Sequence, residues 1–223
     1  MFVFTTNHDH ALAALTCDNT PKTPIYGCST RTLSVRRPQD QLPTTTLERA
    51  VLQEIYQHFA PNPHAFEGFA ADIWLMSDPK VASIDVTRPS RDGGRDAVGE
   101  YLIGPHSDPI QIDFALEAKC YQRSSGVGVR DVSRLISRLR ARQFGILVTT
   151  SYLNQQAYTE VREDKHPIIV ISGKDIVEIL SSVGHRTLAE VTAYLQSNHP
   201  VGAPTSVDLS FPEIEIALET EKL

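Results

Sequence analysis

The chain has 223 residues, of which 41% are hydrophobic and 22% charged, a composition typical of a soluble globular protein of moderate size. Its net charge is −6, and no apolar run approaches the length of a bilayer span, so no membrane association is expected. The three cysteines lack disulfide or metal-site spacing and the N-terminus lacks the pattern of a signal peptide, so a reducing cytoplasm is the expected location.

The N-terminal region, residues 1–43, shows no sustained hydrophobic period. Four prolines interrupt it: Pro21, Pro24, Pro38 and Pro43. We therefore expect an irregular arm, or the remnant of a preceding module.

A first helix is predicted to begin at Thr45, because Thr45 and Glu48 have the spacing of a capping box. Its apolar residues recur every four positions, as expected for one buried face: Leu47, Val51, Ile55 and Phe59. Two prolines, at positions 61 and 63, end this helix. A second helix is predicted over about residues 65–76.

A β-hairpin is predicted next, after a β-branched stretch over residues 81–87. Its strands are residues 96–103 and 110–119, joined by a turn-rich stretch. Alternation along the second strand places Glu117 and Lys119 on one face.

Helices and strands alternate after the hairpin. The predicted elements are helices at residues 129–143, 153–162, 173–180 and 187–195, and buried strands at residues 144–150 and 168–171. This order of elements predicts an α/β sandwich with a mixed central sheet. Alternation at residues 213–216 indicates either an edge strand or a mobile segment.

Three hairpin residues have the chemistry of a metal site. Twenty residues separate Asp96 from Glu117, and if both acids share a face they converge with Lys119. Carboxylate oxygens bind hard divalent cations, and a lysine beside them can hold or deprotonate a water. The ordinary alternatives are a turn aspartate and an exposed ion pair. The apolar run before Glu117 favours the metal site, since burying a charge without purpose is costly.

This arrangement resembles that of the PD-(D/E)xK nucleases, and four blocks resemble the Mrr-like restriction endonucleases. The blocks are the glycine-rich approach to the first acid, the Glu-Ala-Lys strand, the strand ending in Thr-Thr-Ser and the closing strand with its helix: residues 91–96, 117–121, 144–151 and 167–180. The resemblance covers roughly residues 64–180. It implies a restriction-endonuclease-like α/β/α sandwich over residues 44–199, followed by an acidic C-terminal tail over residues 200–223.

The resemblance also implies the roles of the site residues. Asp96, Glu117 and the carbonyl of Ala118 would bind Mg²⁺, with Mn²⁺ as an alternative ion. Lys119 would orient or deprotonate the attacking water.

Two further acids are candidates for the metal. Glu67 lies on the second predicted helix, from which an acid approaches the metal in this superfamily; a solvated helix glutamate is the alternative. Asp92 competes with Asp96, but it precedes the glycines and has the wrong spacing from Glu117, so it ranks second.

Basic residues are concentrated in one region despite the acidic total. Residues 119–142 contain seven basic residues and one acid, Asp131. Four arginines form a stripe at four-residue spacing: Arg130, Arg134, Arg138 and Arg142. Such a stripe is usually a solvated face, but its position beside the catalytic strand favours contacts with phosphate. Arg130 and Arg134 are the first candidates for DNA binding.

The sequence thus predicts a Mg²⁺-dependent DNA endonuclease that restricts foreign or modified DNA. Double-stranded DNA is the expected partner. A homodimer would supply one site for each strand, and a separate recognition module or partner would supply specificity. The alternatives are a repair or junction-resolving nuclease and a non-catalytic DNA-binding module that kept the fold. The intact set of Asp96, Glu117 and Lys119 argues against the last of these.

Overall fold

The structure, a computed structural model, describes residues 34–87 and 95–201. Most of the predicted N-terminal arm, Asp92 and the predicted strand at residues 213–216 lie outside the described residues. Within the described part, no helix combines the length and the apolar character needed to cross a bilayer.

The strands of the described residues form one mixed five-stranded sheet in the order β1-β2-β3-β4-β5. They are β1 (Val81–Val86), β2 (Ala97–Ile103), β3 (Ile110–Lys119), β4 (Phe144–Thr149) and β5 (Ile168–Ile171). The pairs β1–β2 and β2–β3 are antiparallel, whereas β3–β4 and β4–β5 are parallel. The predicted hairpin and the mixed character of the sheet are therefore confirmed.

The helices of the described residues form layers on both sides of this sheet. They are α1 (Thr46–Phe59), α2 (Ala65–Ser77), α3 (Val129–Arg138), α4 (Gln155–Glu163), α5 (Gly173–Ser182) and α6 (Leu188–Asn198). One sheet face, which includes Phe114 and Leu116, packs with α1, α2, α5 and α6. The other face, which includes Ala115 and Leu147, packs with α3 and α4. The predicted α/β/α sandwich is confirmed.

The alternation of β3 divides its side chains between the two cores. Phe114 and Leu116 belong to one core and Ala115 to the other, as the period of two requires. Parallel neighbours of β4 need crossover connections, which α3 and α4 supply. Glu117 therefore lies on the face of the sheet that α3 covers.

The start of α1 is as predicted, but one residue of its predicted buried face is not. Thr45 Oγ1 accepts the Glu48 amide at 3.2 Å, and Glu48 Oε2 accepts the Thr45 amide at 3.1 Å, which completes the capping box. Leu47 was predicted to be buried and is 51% exposed. It lies in the first turn of α1, a helix whose packing contacts are mainly with α5 and α6.

The helix α3 is shorter than the predicted span of residues 129–143. It ends at Arg138, because Leu139 has extended backbone angles and Arg142 has a φ of 67°. Arg142 therefore does not continue the helical stripe of arginines. The helix loses its last predicted turn without a glycine or proline to signal the end.

The segment just before α1 packs against the sandwich. Arg36 forms two hydrogen bonds of 2.8 Å to the carboxylate of Asp175, and the buried Gln41 exchanges hydrogen bonds with the backbone of Leu153. Residues 35–43 are thus tied to α5 and to the loop before α4. The predicted division of the chain at residues 43 and 199 stays a prediction.

Candidate active site

The end of β3 carries a buried carboxylate and a lysine in contact with it. Glu117 is fully buried, and Lys119 Nζ lies 2.7 Å from its Oε1. The same ammonium group donates to the carbonyl of Ala118 at 3.2 Å. The alternation of β3 places these two charged side chains on the same face, as predicted.

Asp96 lies directly across from this pair. It precedes β2 by one residue and is one register step beyond the pair Ala97–Leu116, so it faces Glu117 in the hairpin. Its amide donates to the carbonyl of Leu116 at 3.1 Å. Its carboxylate Oδ2 accepts the amide of Ala118 at 2.7 Å. The structure thus brings together Asp96, Glu117 and Lys119 on two adjacent strands.

The pKa of Asp96 reflects this crowded, partly dry position. Burial raises its pKa to about 6, and the hydrogen bond from the Ala118 amide partly offsets this effect. The charge of Glu117 raises the pKa further, that of Lys119 lowers it, and the charge of Glu67 also raises it. Two other acids, Glu117 and Glu67, thus act on Asp96.

Glu67 approaches the site from α2. Its charge is close enough to raise the pKa of Asp96, while its Oε1 lies 2.9 Å from His64 Nδ1. Its side chain is mostly buried, unlike that of a solvated helix glutamate. A role for Glu67 at a metal stays a prediction.

Two arginines of α3 contact the buried acid, which sequence reasoning missed. Arg138 Nη1 lies 3.0 Å from Glu117 Oε2, and Arg134 Nε lies 3.4 Å from Glu117 Oε1. The four-residue spacing of the stripe marks them as neighbours. It does not show that their face of the helix lies over β3. Arg130 is exposed and has no such contact with Glu117.

Three successive hydroxyl groups at the end of β4 bind the backbone of the chain that leaves β3. They are buried, and they donate to backbone carbonyls as follows: Thr149 to Lys119 at 2.8 Å, Thr150 to Tyr121 at 2.7 Å and Ser151 to Ser125 at 2.7 Å. Buried hydroxyl groups with partners of this kind rigidify the backbone that they bind. The Thr-Thr-Ser block thus fixes the exit of the strand that carries Lys119.

The oxygen donors at the site fit a hard divalent cation. Among the residues that the structure describes, no group of three or more His, Cys, Asp or Glu side chains is arranged to hold a metal. The converging donors are instead the carboxylates of Asp96 and Glu117 with the carbonyl of Ala118 beside them. Carboxylate and carbonyl oxygens suit Mg²⁺, which keeps several waters and needs only one or two carboxylates from the protein.

An acid at the start of one strand faces an acid and a lysine on the next, in a mixed sheet between two helical layers. This fold and site define a nuclease domain of the PD-(D/E)xK type. The family model Mrr_cat, described as restriction endonuclease, matches residues 60–180. The chain belongs to this restriction endonuclease family.

Two solved structures are similar to the chain. The "DNA modification-dependent restriction endonuclease AspBHI" is 47% identical with a TM-score of 0.70, over 78% of this chain and 44% of that one. The "MspJI Restriction Endonuclease in Complex with 27-mer Oligonucleotide" is 27% identical with a TM-score of 0.64, over 74% of this chain and 38% of that one. The chain thus spans less than half the length of either protein. No curated protein matches the chain significantly.

Proposed function

We propose that this chain is the catalytic part of a Mg²⁺-dependent DNA endonuclease that restricts foreign or modified DNA. The observation that carries the proposal is the convergence of Asp96, Glu117 and Lys119 at the paired ends of β2 and β3. Membership of the restriction endonuclease family supports the reaction class, hydrolysis of a phosphodiester bond.

The proposed roles of the site residues follow from their chemistry. Asp96, Glu117 and the carbonyl of Ala118 hold the cation, with Mn²⁺ as an alternative to Mg²⁺. When bound, the cation supplies Lewis-acid polarisation of the scissile phosphate. Lys119 Nζ, which lies beside Glu117, orients the attacking water as an ammonium group or accepts its proton as a neutral amine.

The substrate is proposed to be modified double-stranded DNA. AspBHI is a DNA modification-dependent restriction endonuclease, and the MspJI structure is that of a complex with a 27-mer oligonucleotide. Because the chain spans less than half of each, we propose that a separate recognition module provides specificity. A homodimer and a cytoplasmic location remain predictions.

Cleavage of paired DNA substrates tests the proposed function. At enzyme excess, we expect nicking or cutting of methylated and unmethylated plasmid alike with Mg²⁺ or Mn²⁺, and no cutting with EDTA, because the proposed recognition module is separate from this chain. Preferential cutting of a four-way junction would favour the repair nuclease instead. DNA binding without cleavage in either metal would favour the non-catalytic module.

Arg130 supplies a prediction about DNA binding. Arg130→Ala should weaken binding and lower the salt slope of the affinity by about one phosphate contact, because each neutralised phosphate releases condensed counterions. The measurement is fluorescence anisotropy of a labelled duplex at several salt concentrations. Arg186→Ala, at an exposed position before α6, is the matched control. An unchanged salt slope for Arg130→Ala would mean that Arg130 is a solvated side chain that does not contact a phosphate. Arg134 is a poorer test, because it also contacts Glu117.

Glu67 supplies a prediction about metal dependence. Glu67→Gln should keep the fold and raise the Mg²⁺ concentration needed for half-maximal cleavage by about threefold or more, because one anionic oxygen fewer weakens a hard-cation site. Titration of Mg²⁺ against the initial cleavage rate gives this value. Glu178→Gln, at an exposed position on α5, should overlay the wild-type curve. If the Glu67→Gln curve overlays it too, Asp96 and Glu117 are the acidic ligands and Glu67 is a helix residue.

A further inference from the structure

The buried carboxylate of Glu117 needs cationic partners before any metal ion binds. Its side chain is fully buried, and an ionised carboxylate removed from water requires neutralising partners. Three cationic groups supply them: Lys119 at 2.7 Å, Arg138 at 3.0 Å and Arg134 at 3.4 Å. Three positively charged side chains therefore already contact the carboxylate of Glu117.

The three cations do not act on the carboxylate in the same way. Lys119 and Arg134 approach Oε1, whereas Arg138 approaches Oε2. The side chain of Arg134 is 49% exposed and that of Arg138 only 20% exposed. Water screens the longer, exposed contact of Arg134 more strongly. Arg138 is consequently the arginine with the larger effect on Glu117.

The backbone carbonyl of Arg138 is hydrogen-bonded to the residue that precedes Asp96. Arg95 Nη2 donates to the carbonyl of Arg138 at 2.6 Å, at the end of α3, where cationic donors satisfy the last carbonyls of a helix. Arg95 immediately precedes Asp96. The helix end that presents Arg138 is thus attached to the chain beside the second acid.

We propose that Arg138 is a positioning residue that neutralises Glu117 in the metal-free protein, and that a divalent cation competes with its guanidinium group for this carboxylate. The inference rests on the proposed function, because it takes Glu117 as a metal ligand. It assigns Arg138 a task that is separate from the chemistry of Lys119.

Competition has a distinctive consequence. Without Arg138, the metal-free protein keeps a buried carboxylate with fewer partners, so it should lose stability. A divalent cation that enters the same site no longer meets a fixed positive charge at close range, so it should bind more tightly. A residue with a purely structural role would lower stability and leave the affinity for cations unchanged or weaker.

The experiment measures both quantities without DNA and without cleavage. The probe is Ca²⁺, titrated by calorimetry into the whole chain, and the melting temperature is measured in EDTA. Arg138→Gln should lower the melting temperature by about 3 °C or more and tighten Ca²⁺ binding by about fivefold or more. Arg186→Gln removes the same charge at an exposed position before α6 and should change neither value.

Two further variants keep the test decisive. Arg138→Lys retains the charge, so its Ca²⁺ affinity should stay within about twofold of wild type; tightening as large as that of the glutamine variant would overturn the charge argument. If Arg138→Gln does not fold, the double variant with Glu117→Gln should fold in EDTA, because it lacks the buried carboxylate that has lost Arg138 as a partner. A double variant no more stable than Arg138→Gln alone would contradict the proposal.

The outcomes also separate this inference from the proposed function. If Glu117→Gln binds Ca²⁺ as tightly as wild type, Glu117 is not a metal ligand and the proposed site fails. If Glu117→Gln loses binding but Arg138→Gln binds as tightly as wild type or more weakly, the site stands and the role of Arg138 fails.

Discussion

Lys119→Ala is expected to reduce DNA cleavage by about a thousandfold, while DNA affinity stays within about twofold of wild type. A positioned proton-transfer group contributes about 10²–10⁴-fold to a rate. Lys119 Nζ lies beside Glu117 and the Ala118 carbonyl, the place proposed for the attacking water. One lysine is a small part of a binding surface that contacts many phosphates. Single-turnover cleavage and anisotropy of the same labelled duplex measure the two effects.

The control for this variant must separate chemistry from folding. Lys119 also neutralises the buried Glu117, so the alanine variant should lose some stability, and its melting temperature has to exceed the assay temperature. Arg134 and Arg138 remain to pair the carboxylate. Lys80→Ala, at an exposed position before β1, should cleave normally. Normal cleavage by Lys119→Ala would remove this lysine from the mechanism.

The sequence predicts the hairpin and its charged residues well because both are local. A strand alternates with a period of two over consecutive residues, so the run to Lys119 shows which side chains share a face. Once the hairpin exists, its register places Asp96 across from Glu117. The proximity of the two acids therefore depends on about twenty-five consecutive residues (a local pairing) rather than on the fold of the whole chain.

The contacts of α3 could not be predicted in the same way. The crossover from β3 to β4 decides which face of this helix meets the sheet, and that choice depends on packing between residues far apart in sequence. The arginine stripe was visible in the sequence, and Arg130 and Arg134 were its first candidates for DNA binding. The contacts of Arg134 and Arg138 with Glu117 were not predicted. The link from Arg36 to Asp175 depends on a fold that joins residues 139 positions apart. No hydrophobic periodicity in the sequence indicates this contact.

Asp96→Asn is expected to abolish cleavage and weaken divalent-cation binding by about a hundredfold, yet to stabilise the metal-free protein at neutral pH. The pKa of Asp96 is raised to about 6, mainly by burial, so the folded protein binds a proton more tightly than the unfolded chain. The stability of the wild-type protein in EDTA should therefore fall as pH rises from about 4 to about 6, and stay lower above that range. A two-unit shift corresponds to about 1–3 kcal/mol.

The asparagine variant lacks this titration but keeps an oxygen to accept the Ala118 amide. Urea unfolding in EDTA at pH 5 and pH 8 should show a stability gain over wild type that is larger at pH 8. Asp108→Asn, in the exposed turn between β2 and β3, should follow the wild-type profile. An Asp96→Asn protein that is equally destabilised at both pH values would mean that the carboxylate is held by structural contacts alone. Stabilisation combined with lost cation binding is instead the behaviour of an acid kept ionised, at a cost in folding stability, for a metal.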